Sequence, residues 1–251
     1  MTSLNLKIGT IIQARMLSTR LPKKILLPLS GKTVLEHVIE RCQKSQFSTT
    51  VIVATTVRPE DQPIADFMQK LGVPVWRGSE ENVLERYRDA AKHYGLDVVV
   101  RVTSDCPLID AGIIDDVIHA FISEKADIAA NITERTFPRG FDVEVVSFAA
   151  LEKAMSAGLE PFDLEHVTPY FYRNPRLFRT AAVRAKDEMR RPDIRICIDQ
   201  QEDYDLLKKI FKFRPGSGNF AAKEIVGLFN RFPEWLEINR NVHHLTGKGK
   251  T

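Results

Sequence analysis

The strongest constraint on the fold is an alternation of short apolar runs with segments of helical periodicity. Four runs rich in β-branched residues are nearly continuous in apolar character: KIGTIIQA, TTVIVATT, VPVW and LDVVVRVT. Such strands are typical of a sheet covered on both faces, which favours parallel pairing. The segments between them repeat apolar residues every three or four positions. We therefore predict a mostly parallel α/β sheet built from right-handed βαβ units.

The repeating pattern changes after about residue 132. ERTFPRGFDVEVVSF and the aromatic, proline-bounded EHVTPYFYRNP depart from it, whereas DIRICIDQQEDYDLLKKI indicates a further strand and helix. We interpret the whole chain, 1–251, as a single domain. Within it, we expect an inserted subdomain at 133–190 and a C-terminal helical extension at 213–251.

Composition excludes several classes of protein. Charged residues make up 27 % of the chain and hydrophobic residues 43 %, which is ordinary for a globular protein. The net charge of +3 is too small to indicate binding to duplex DNA, so no nucleic-acid partner is expected. No run is long enough to span a membrane, and MTSLNLKIGT lacks the apolar core of a signal peptide, so we expect a cytoplasmic protein. Cys42, Cys106 and Cys197 are widely separated, and we predict neither a disulfide nor a zinc site.

A basic segment, QARMLSTRLPKK, follows the first predicted strand at residues 13–24. Ligands of open α/β sheets bind beyond the carboxyl ends of the strands, so these cations should face the binding crevice. Arginine can fork onto two phosphate oxygens and lysine acts as a compact charge, which suits a polyphosphate. A solvated basic loop remains the alternative. The residues concerned are Arg15, Arg20, Lys23 and Lys24, with hydroxyls from Ser18 and Thr19.

Two other phosphate-binding motifs are excluded. SGKT at 30–33 and GKGKT at 247–251 end like a P-loop, but the required earlier glycine is Leu26 in one and His244 in the other. No GxGxxG follows the first strand either. A dinucleotide-binding dehydrogenase is therefore not expected.

Two aspartates follow apolar runs and should lie opposite the basic segment. Asp105 ends VVVRVTSD, and Asp199 ends the predicted late strand in RICIDQQED. Mg²⁺ is commonly held by one or two protein carboxylates together with phosphate oxygens, so this pair suits a magnesium-bound polyphosphate. Helix N-capping is the alternative for Asp110 and Asp199, because both precede helical patterns.

Four motifs together resemble the cytidylyltransferase family that makes CMP-activated acidic sugars, and in particular its spore-coat-polysaccharide branch. They are RxxSTRLPxK at 15–24, GKTVLEHVIER, DCPLID and PRGFDVEVVSF, within a resemblance that covers about residues 7–212. The resemblance implies a Rossmann-like fold of the nucleotide-diphospho-sugar-transferase type, and a homodimer formed through the inserted part. Relatives often have glycine where this chain has Leu17 and Lys23.

The resemblance also implies roles for individual residues. The triphosphate would be held by Arg15, Ser18, Arg20 and Lys24, and Mg²⁺ by Asp105 and Asp199. The sugar would lie near Arg139, Asp142, Glu144 and His166. Candidates for recognition of the base are Thr55, Arg77 and Ser79.

The reaction implied is in-line attack of a sugar hydroxyl on the α-phosphorus of CTP, with release of pyrophosphate. Lys24 would neutralise charge at the α-phosphate, Arg15 and Arg20 would grip the leaving group, and Asp105 would carry the metal. Two alternatives remain. One is a glycosyltransferase, or a sugar nucleotidyltransferase using another NTP, with the same fold. The other is a non-catalytic nucleotide-binding assembly protein.

Several residues of the middle segment have two interpretations. Arg139 would pair a sugar carboxylate or form a salt bridge with Glu144. Asp142 and Glu144, two apart on a predicted strand, would project from one face. His166 would be a general base or a helix-surface residue. We also expect an aromatic cluster to form a two-fold dimer interface; its members are Phe162, Tyr170, Phe171 and Tyr172.

Overall fold

A computed structural model describes residues 6–213 and 220–242. Within these residues, seven strands form one sheet in the order β5-β4-β1-β6-β8-β7-β9, and two more form a small hairpin. The sheet strands are β1 Ile8–Gln13, β4 Thr50–Thr56, β5 Val75–Gly78, β6 Val98–Thr103, β7 Ile128–Ala130, β8 Glu144–Ser147 and β9 Thr180–Ala182, and the hairpin is β2 Pro28–Leu29 with β3 Lys32–Thr33. Every pairing in the sheet is parallel except the two made by β8. The predicted mostly parallel α/β fold is therefore confirmed.

Helices follow most of the strands. They are α1 Val34–Cys42, α2 Gln62–Leu71, α3 Val83–Tyr94, α4 Ala111–Ser123, α5 Phe148–Met155, α6 Pro161–His166, α7 Pro169–Arg173, α8 Gln201–Lys212 and α9 Ala222–Arg231. The SGKT segment is the turn between β2 and β3 together with β3, and its last residue caps α1: the Thr33 hydroxyl accepts a hydrogen bond from the backbone N–H of Glu36 at 3.2 Å. The GKGKT segment lies outside the described residues.

Two apolar layers cover the sheet. Side chains of β1 alternate between them, so that Ile12 packs with α1, α2, α4, α8 and α9, whereas Ile11 packs with α3, α5 and α7. Coverage on both faces explains why the strands have nearly continuous apolar sequences. The three cysteines are buried free thiols within this interior. No helix in the described part of the chain has both the length and the apolar character needed to cross a bilayer.

The segment 133–190 is joined closely to the main sheet. It contributes β8, which lies between β6 and β7, and β9, which pairs with β7. Val145 and Val146 of β8 bury their side chains in opposite layers, so this strand belongs to the central core. The bounds 133–190 of a separate subdomain stay a prediction.

The expected strand ending at Asp199 is wrong. Residues 193–200 form turns and bends with one isolated bridge, between Arg139 and Arg195. Beyond α8, the described part of the C-terminal segment consists of α9 and a 3₁₀ turn at Pro233–Glu237. Residues 214–219 and 243–251 of the predicted helical extension lie outside the described residues.

Candidate active site

The basic loop begins at the carboxyl end of β1 and is fastened at both ends. The Asp61 carboxylate accepts a hydrogen bond from the backbone N–H of Met16 at 2.6 Å, and the Lys23 N–H donates to the Met16 carbonyl at 3.3 Å. The side chain of Arg15, which directly precedes Met16, is exposed. Lys23 has φ 56°, in the left-handed region that favours glycine. The loop therefore closes on itself at a residue whose conformation costs free energy.

Lys24 connects this loop to the two predicted metal-binding aspartates. Its Nζ donates to Asp105 Oδ2 at 2.6 Å, to the Ile198 carbonyl at 2.7 Å and to Asp199 Oδ1 at 2.9 Å. Arg20 Nη2 lies 2.9 Å from the same Asp199 oxygen. Four residues that the sequence assigned to phosphate and metal thus meet at the carboxyl edge of the sheet.

Two further charged residues, Arg195 and Asp203, which sequence reasoning missed, contact Asp199 and hold it in place. Arg195 Nη2 donates to Asp199 Oδ2 at 2.6 Å, and Arg195 Nε donates to Asp203 Oδ1 at 2.9 Å. Asp203 also accepts from the Asp199 backbone N–H at 2.8 Å and from Asn239 Nδ2 at 2.8 Å. The N-cap of α8 is Gln200, so the capping alternative for Asp199 is wrong, whereas Asp110 does cap α4.

The pKa values of the cluster follow from its contacts. Burial would raise the pKa of Asp105, but the adjacent Lys24 ammonium outweighs burial and lowers that pKa to about 2. Burial likewise opposes ionisation of Asp199, and Lys24 again brings the pKa below its usual value. For Lys24, burial alone would lower the pKa, but Asp105 and Asp199 raise it above the usual value. All three groups are therefore charged at neutral pH.

The oxygens around Lys24 fit a hard divalent cation. Two carboxylates and one backbone carbonyl converge on a single ammonium, and oxygen donors of these kinds are the ones that Mg²⁺ takes. The ammonium shows that the position already accommodates positive charge. Asp105 and Asp199 could therefore hold the metal that the family resemblance implies.

The base-recognition candidates are largely engaged in local structure. Arg77 donates to the carbonyls of Thr56 at 2.9 Å and Arg58 at 2.8 Å, so its guanidinium holds the connection between β4 and α2. The Ser79 hydroxyl accepts a backbone hydrogen bond at the start of α3. Thr55 is buried, and its hydroxyl has no partner within the described residues.

Arg86 is a residue on this side that sequence reasoning missed. Its side chain belongs to α3 and the residue is only 3 % exposed. Nη1 donates to the Ser79 carbonyl at 2.8 Å, Nε is buried without a partner, and no carboxylate in the described part of the chain pairs with it. Burial lowers its pKa, and the nearby Arg15 lowers it further. Its helical spacing could have identified it from the sequence, because Val83, Arg86 and Ala90 share the buried face of α3.

Two of the predicted sugar-site residues lie in the connection between β7 and β8. Asp142 is paired with Arg135 at 2.5 Å. Arg139 is half-buried, and no hydrogen bond or ion pair of its guanidinium occurs within the described residues. A Cβ at Gly140, where φ is 114°, would lie 2.9 Å from the Ile196 backbone, so glycine permits this close approach.

A cavity of about 350 Å³ adjoins the site, lined by Arg139, Asp193, Arg195, Leu236, Asn239, Arg240 and Val242.

The other two predicted sugar residues lie elsewhere. Glu144 is 2 % exposed, is ion-paired with Arg101, and accepts a hydrogen bond from the Tyr172 hydroxyl at 2.7 Å. The alternative of an Arg139–Glu144 salt bridge is therefore wrong. Asp142 precedes the strand that Glu144 begins, so the two do not share a strand as predicted. His166 ends α6, which packs against α3, and its ring lies 4.4 Å from that of Phe162.

The aromatic cluster is partly internal. Phe171 is fully buried in the chain's own core, with its ring 4.8 Å from that of Phe178. Its assignment to a dimer interface is wrong, because the protein's own packing accounts for it. Phe162, Tyr170 and Tyr172 are only half-buried.

Comparison with known proteins identifies a matching family. Residues 10–226 match the model of the family described as cytidylyltransferase. The spore coat polysaccharide biosynthesis protein SpsF of Bacillus subtilis is 33 % identical over 229 residues, which cover 89 % of this chain and 94 % of that protein. A 3-deoxy-manno-octulosonate cytidylyltransferase of Geobacter sulfurreducens is 28 % identical over 227 residues, covering 87 % and 84 %.

A solved structure gives the same answer for the fold. The structure of a cytidylyltransferase from Leptospira borgpetersenii superimposes with a TM-score of 0.88 at 36 % identity, covering 95 % of this chain and 100 % of that one. The family suggested by the four sequence motifs is confirmed, and with it a nucleotidyltransferase rather than a non-catalytic protein. The chain belongs to the cytidylyltransferase family.

Proposed function

We propose that this protein transfers CMP from CTP to a hydroxyl of an acidic sugar and releases pyrophosphate. The observation that carries the proposal is the meeting of Arg20 and Lys24 with Asp105 and Asp199 at the carboxyl edge of the sheet. This one cluster contains both the cations that can bind phosphate oxygens and the carboxylates that can bind a metal. The similar proteins named for spore coat polysaccharide biosynthesis and for 3-deoxy-manno-octulosonate support a sugar acid as the acceptor.

In this proposal, the chain's own groups bind and orient the triphosphate. When the triphosphate binds, Lys24 and Arg20 donate to phosphate oxygens instead of to the aspartates. The exposed Arg15 binds the leaving group through two parallel hydrogen bonds. The buried Arg86, whose Nε has no partner within the described residues, supplies a further N–H donor near Arg15. Bound Mg²⁺ would supply further stabilisation of charge on the phosphoryl oxygens. Rate then comes from positioning and electrostatic stabilisation of the in-line transition state.

The acceptor binds beside Arg139. An unpaired, half-buried guanidinium at the mouth of a cavity of about 350 Å³ is suited to a carboxylate, because it can form two parallel charged hydrogen bonds. The Asp142 carboxylate, held in place by Arg135, is suited to accept from a sugar hydroxyl. Glu144 and His166 have no part in this proposal, because Glu144 is buried and paired and the ring of His166 packs against that of Phe162.

The proposal includes a homodimer that acts in the cytoplasm. Phe162, Tyr170 and Tyr172 remain half-buried, and an apolar surface of this kind favours association with a second copy. Sedimentation at micromolar concentration tests it, with a dimer expected for the wild type and a monomer after Phe162→Glu. A wild-type monomer would contradict it.

A pyrophosphate-release assay tests the main proposal. CTP, UTP, GTP and ATP are each combined with 3-deoxy-manno-octulosonate, with other sugar acids and with matched neutral sugars, at saturating Mg²⁺. We expect release with CTP and a sugar acid. In Arg139→Met, KM for the sugar acid should rise while the affinity for CTP is unchanged. Preference for another NTP, or for a neutral sugar, would contradict the proposal.

A further inference from the structure

Three oxygens from two segments define one position for a cation. Asp105 follows β6, whereas Ile198 and Asp199 precede α8, and their oxygens lie 2.6 to 2.9 Å from Lys24 Nζ. An ammonium has three N–H donors, and each has an acceptor here. The Lys24 side chain is 14 % exposed, so its head group is largely enclosed.

The charges around this position are already balanced. The connected cluster contains three cations, Arg20, Lys24 and Arg195, and three carboxylates, Asp105, Asp199 and Asp203. A divalent cation added to it would leave two excess positive charges in a poorly solvated place, which is unfavourable. A triphosphate arriving at the same time would bring compensating negative charge and new acceptors for Lys24 and Arg20.

We propose that Lys24 and a divalent metal ion are alternative occupants of this one site. Lys24 fills it in the free protein, and a metal enters only with nucleotide, when the ammonium moves onto phosphate oxygens. The inference rests on the proposed function only for the nature of the nucleotide. The oxygens of the metal site are in place before nucleotide binds, but Lys24 occupies them until its ammonium moves.

The geometry of Lys24 suits such an exchange. A lysine carries a compact charge on a flexible four-carbon stem, so its ammonium can leave the carboxylates without displacement of the backbone. Other groups hold Asp199 in place. Arg195 donates to the second oxygen of Asp199 at 2.6 Å, and the Asp199 backbone N–H donates to Asp203 at 2.8 Å. The Ile198 N–H donates to the Asp105 carbonyl at 2.8 Å, so the two segments stay joined when Lys24 departs.

Binding of Mn²⁺ to the nucleotide-free protein tests the proposal. The electron paramagnetic resonance signal of free Mn²⁺ measures how much metal remains unbound. We expect the wild type to bind Mn²⁺ weakly alone, with a Kd above about 1 mM, because a charged competitor holds the site. Lys24→Met removes the ammonium but keeps the stem, and should tighten binding at least about ten-fold. Lys24→Met combined with Asp105→Asn should lose that gain.

A matched control is Lys32→Met, which removes a lysine from a half-exposed ion pair with Glu40. Its affinity for Mn²⁺ should equal that of the wild type. Equal affinity in the wild type and a folded Lys24→Met would overturn the proposal. Stoichiometric binding of Mn²⁺ by the nucleotide-free wild type at about 0.1 mM would also overturn it, because such binding is expected only of a site that is open in the free protein. This measurement needs no variant, so it decides the matter even if the variants fail to fold. Neither measurement contains CTP, so failure of the proposed function would appear separately, in the pyrophosphate assay.

Discussion

The two ends of the basic loop present opposite electrostatic states. At the Lys24 end, Arg20, Lys24 and Arg195 are each paired with a carboxylate, in a connected group of six charges. At the Arg15 end, Arg86 is buried beside Arg15, and neither guanidinium is paired with a carboxylate within the described residues.

The difference indicates what each end does before a ligand arrives. The paired end is stable as it stands, and a ligand must replace existing contacts to bind there. The unpaired end carries an unfavourable buried charge that a ligand would relieve. Stability and binding should therefore respond in opposite ways to mutation at the two ends.

The largest effect is expected from Asp105→Asn, which breaks the paired end. Turnover in the pyrophosphate-release assay should fall about 10²-fold or more, as is typical when a principal electrostatic group is removed. The fold should persist, as judged by circular dichroism. Asp205→Asn, which removes a surface partner of Lys208, is the control and should turn over normally. Normal turnover of Asp105→Asn at saturating Mg²⁺ would exclude Asp105 as the metal-binding residue.

Arg86→Met tests the unpaired end. Loss of its charged hydrogen bonds to nucleotide should weaken CTP binding about ten-fold or more, measured by calorimetry. The free energy of unfolding should change little, since an apolar side chain replaces a buried, unpaired cation.

Arg77→Met is the matched control for Arg86→Met, because Arg77 belongs to β5 and Arg86 donates to the Ser79 carbonyl just beyond that strand. Arg77 holds two backbone carbonyls, so its loss should reduce the free energy of unfolding by about 2 kcal/mol and leave CTP affinity near that of the wild type. If Arg77→Met instead weakened CTP binding and Arg86→Met did not, their roles would be reversed.

The pH dependence of stability sharpens the comparison. The pKa of Asp105 is lowered from 3.8 to about 2 in the folded protein, so this carboxylate stabilises the fold above pH 3.8. The stabilisation is lost as pH falls through the window between these values. The free energy of unfolding of the wild type should decline by about 1 kcal/mol more than that of Asp105→Asn between pH 5 and pH 3. Urea denaturation measures both, and parallel declines would contradict the assignment.

The smallest effect is expected at Lys23, which joins the two ends through its backbone hydrogen bond to Met16. A left-handed non-glycine residue costs about 1 to 2 kcal/mol, slightly more than the entropy cost of glycine, so Lys23→Gly should stabilise the protein by about 0.5 kcal/mol. Lys23→Ala removes the charge but keeps the Cβ, and should give no such gain. A stabilised Lys23→Ala would attribute the effect to charge instead.

Sequence reasoning succeeded where local pattern decides structure. The apolar runs predicted β1, β4 and β6, and the strand-end rule placed the basic loop opposite Asp105. It failed where tertiary contacts decide. DIRICIDQ has the composition of a strand, but apart from one isolated bridge its residues pair with no neighbouring strand in the described structure.

Buried charges were the other source of error. The family resemblance assigned Glu144 to the sugar site, whereas Arg101 on the paired strand β6 neutralises it in the core. Arg86 was missed because charged residues are usually exposed. An arginine inside a buried run, as in VVVRVT, or on the apolar face of a helix is itself the signal to look for a buried partner or a ligand.

The antiparallel course of β8 has a consequence for how acceptor preference can change. Because β7 runs parallel to β6 and β8 runs against both, the connection carrying Arg139 and Asp142 leaves and re-enters the sheet at the same edge. It needs no crossover helix, so its length and residues can vary while the strand order stays intact. Under the proposed function, exchange of residues 132–143 between relatives is a route to new acceptors, provided that Gly140 and the bridge from Arg139 to Arg195 are kept.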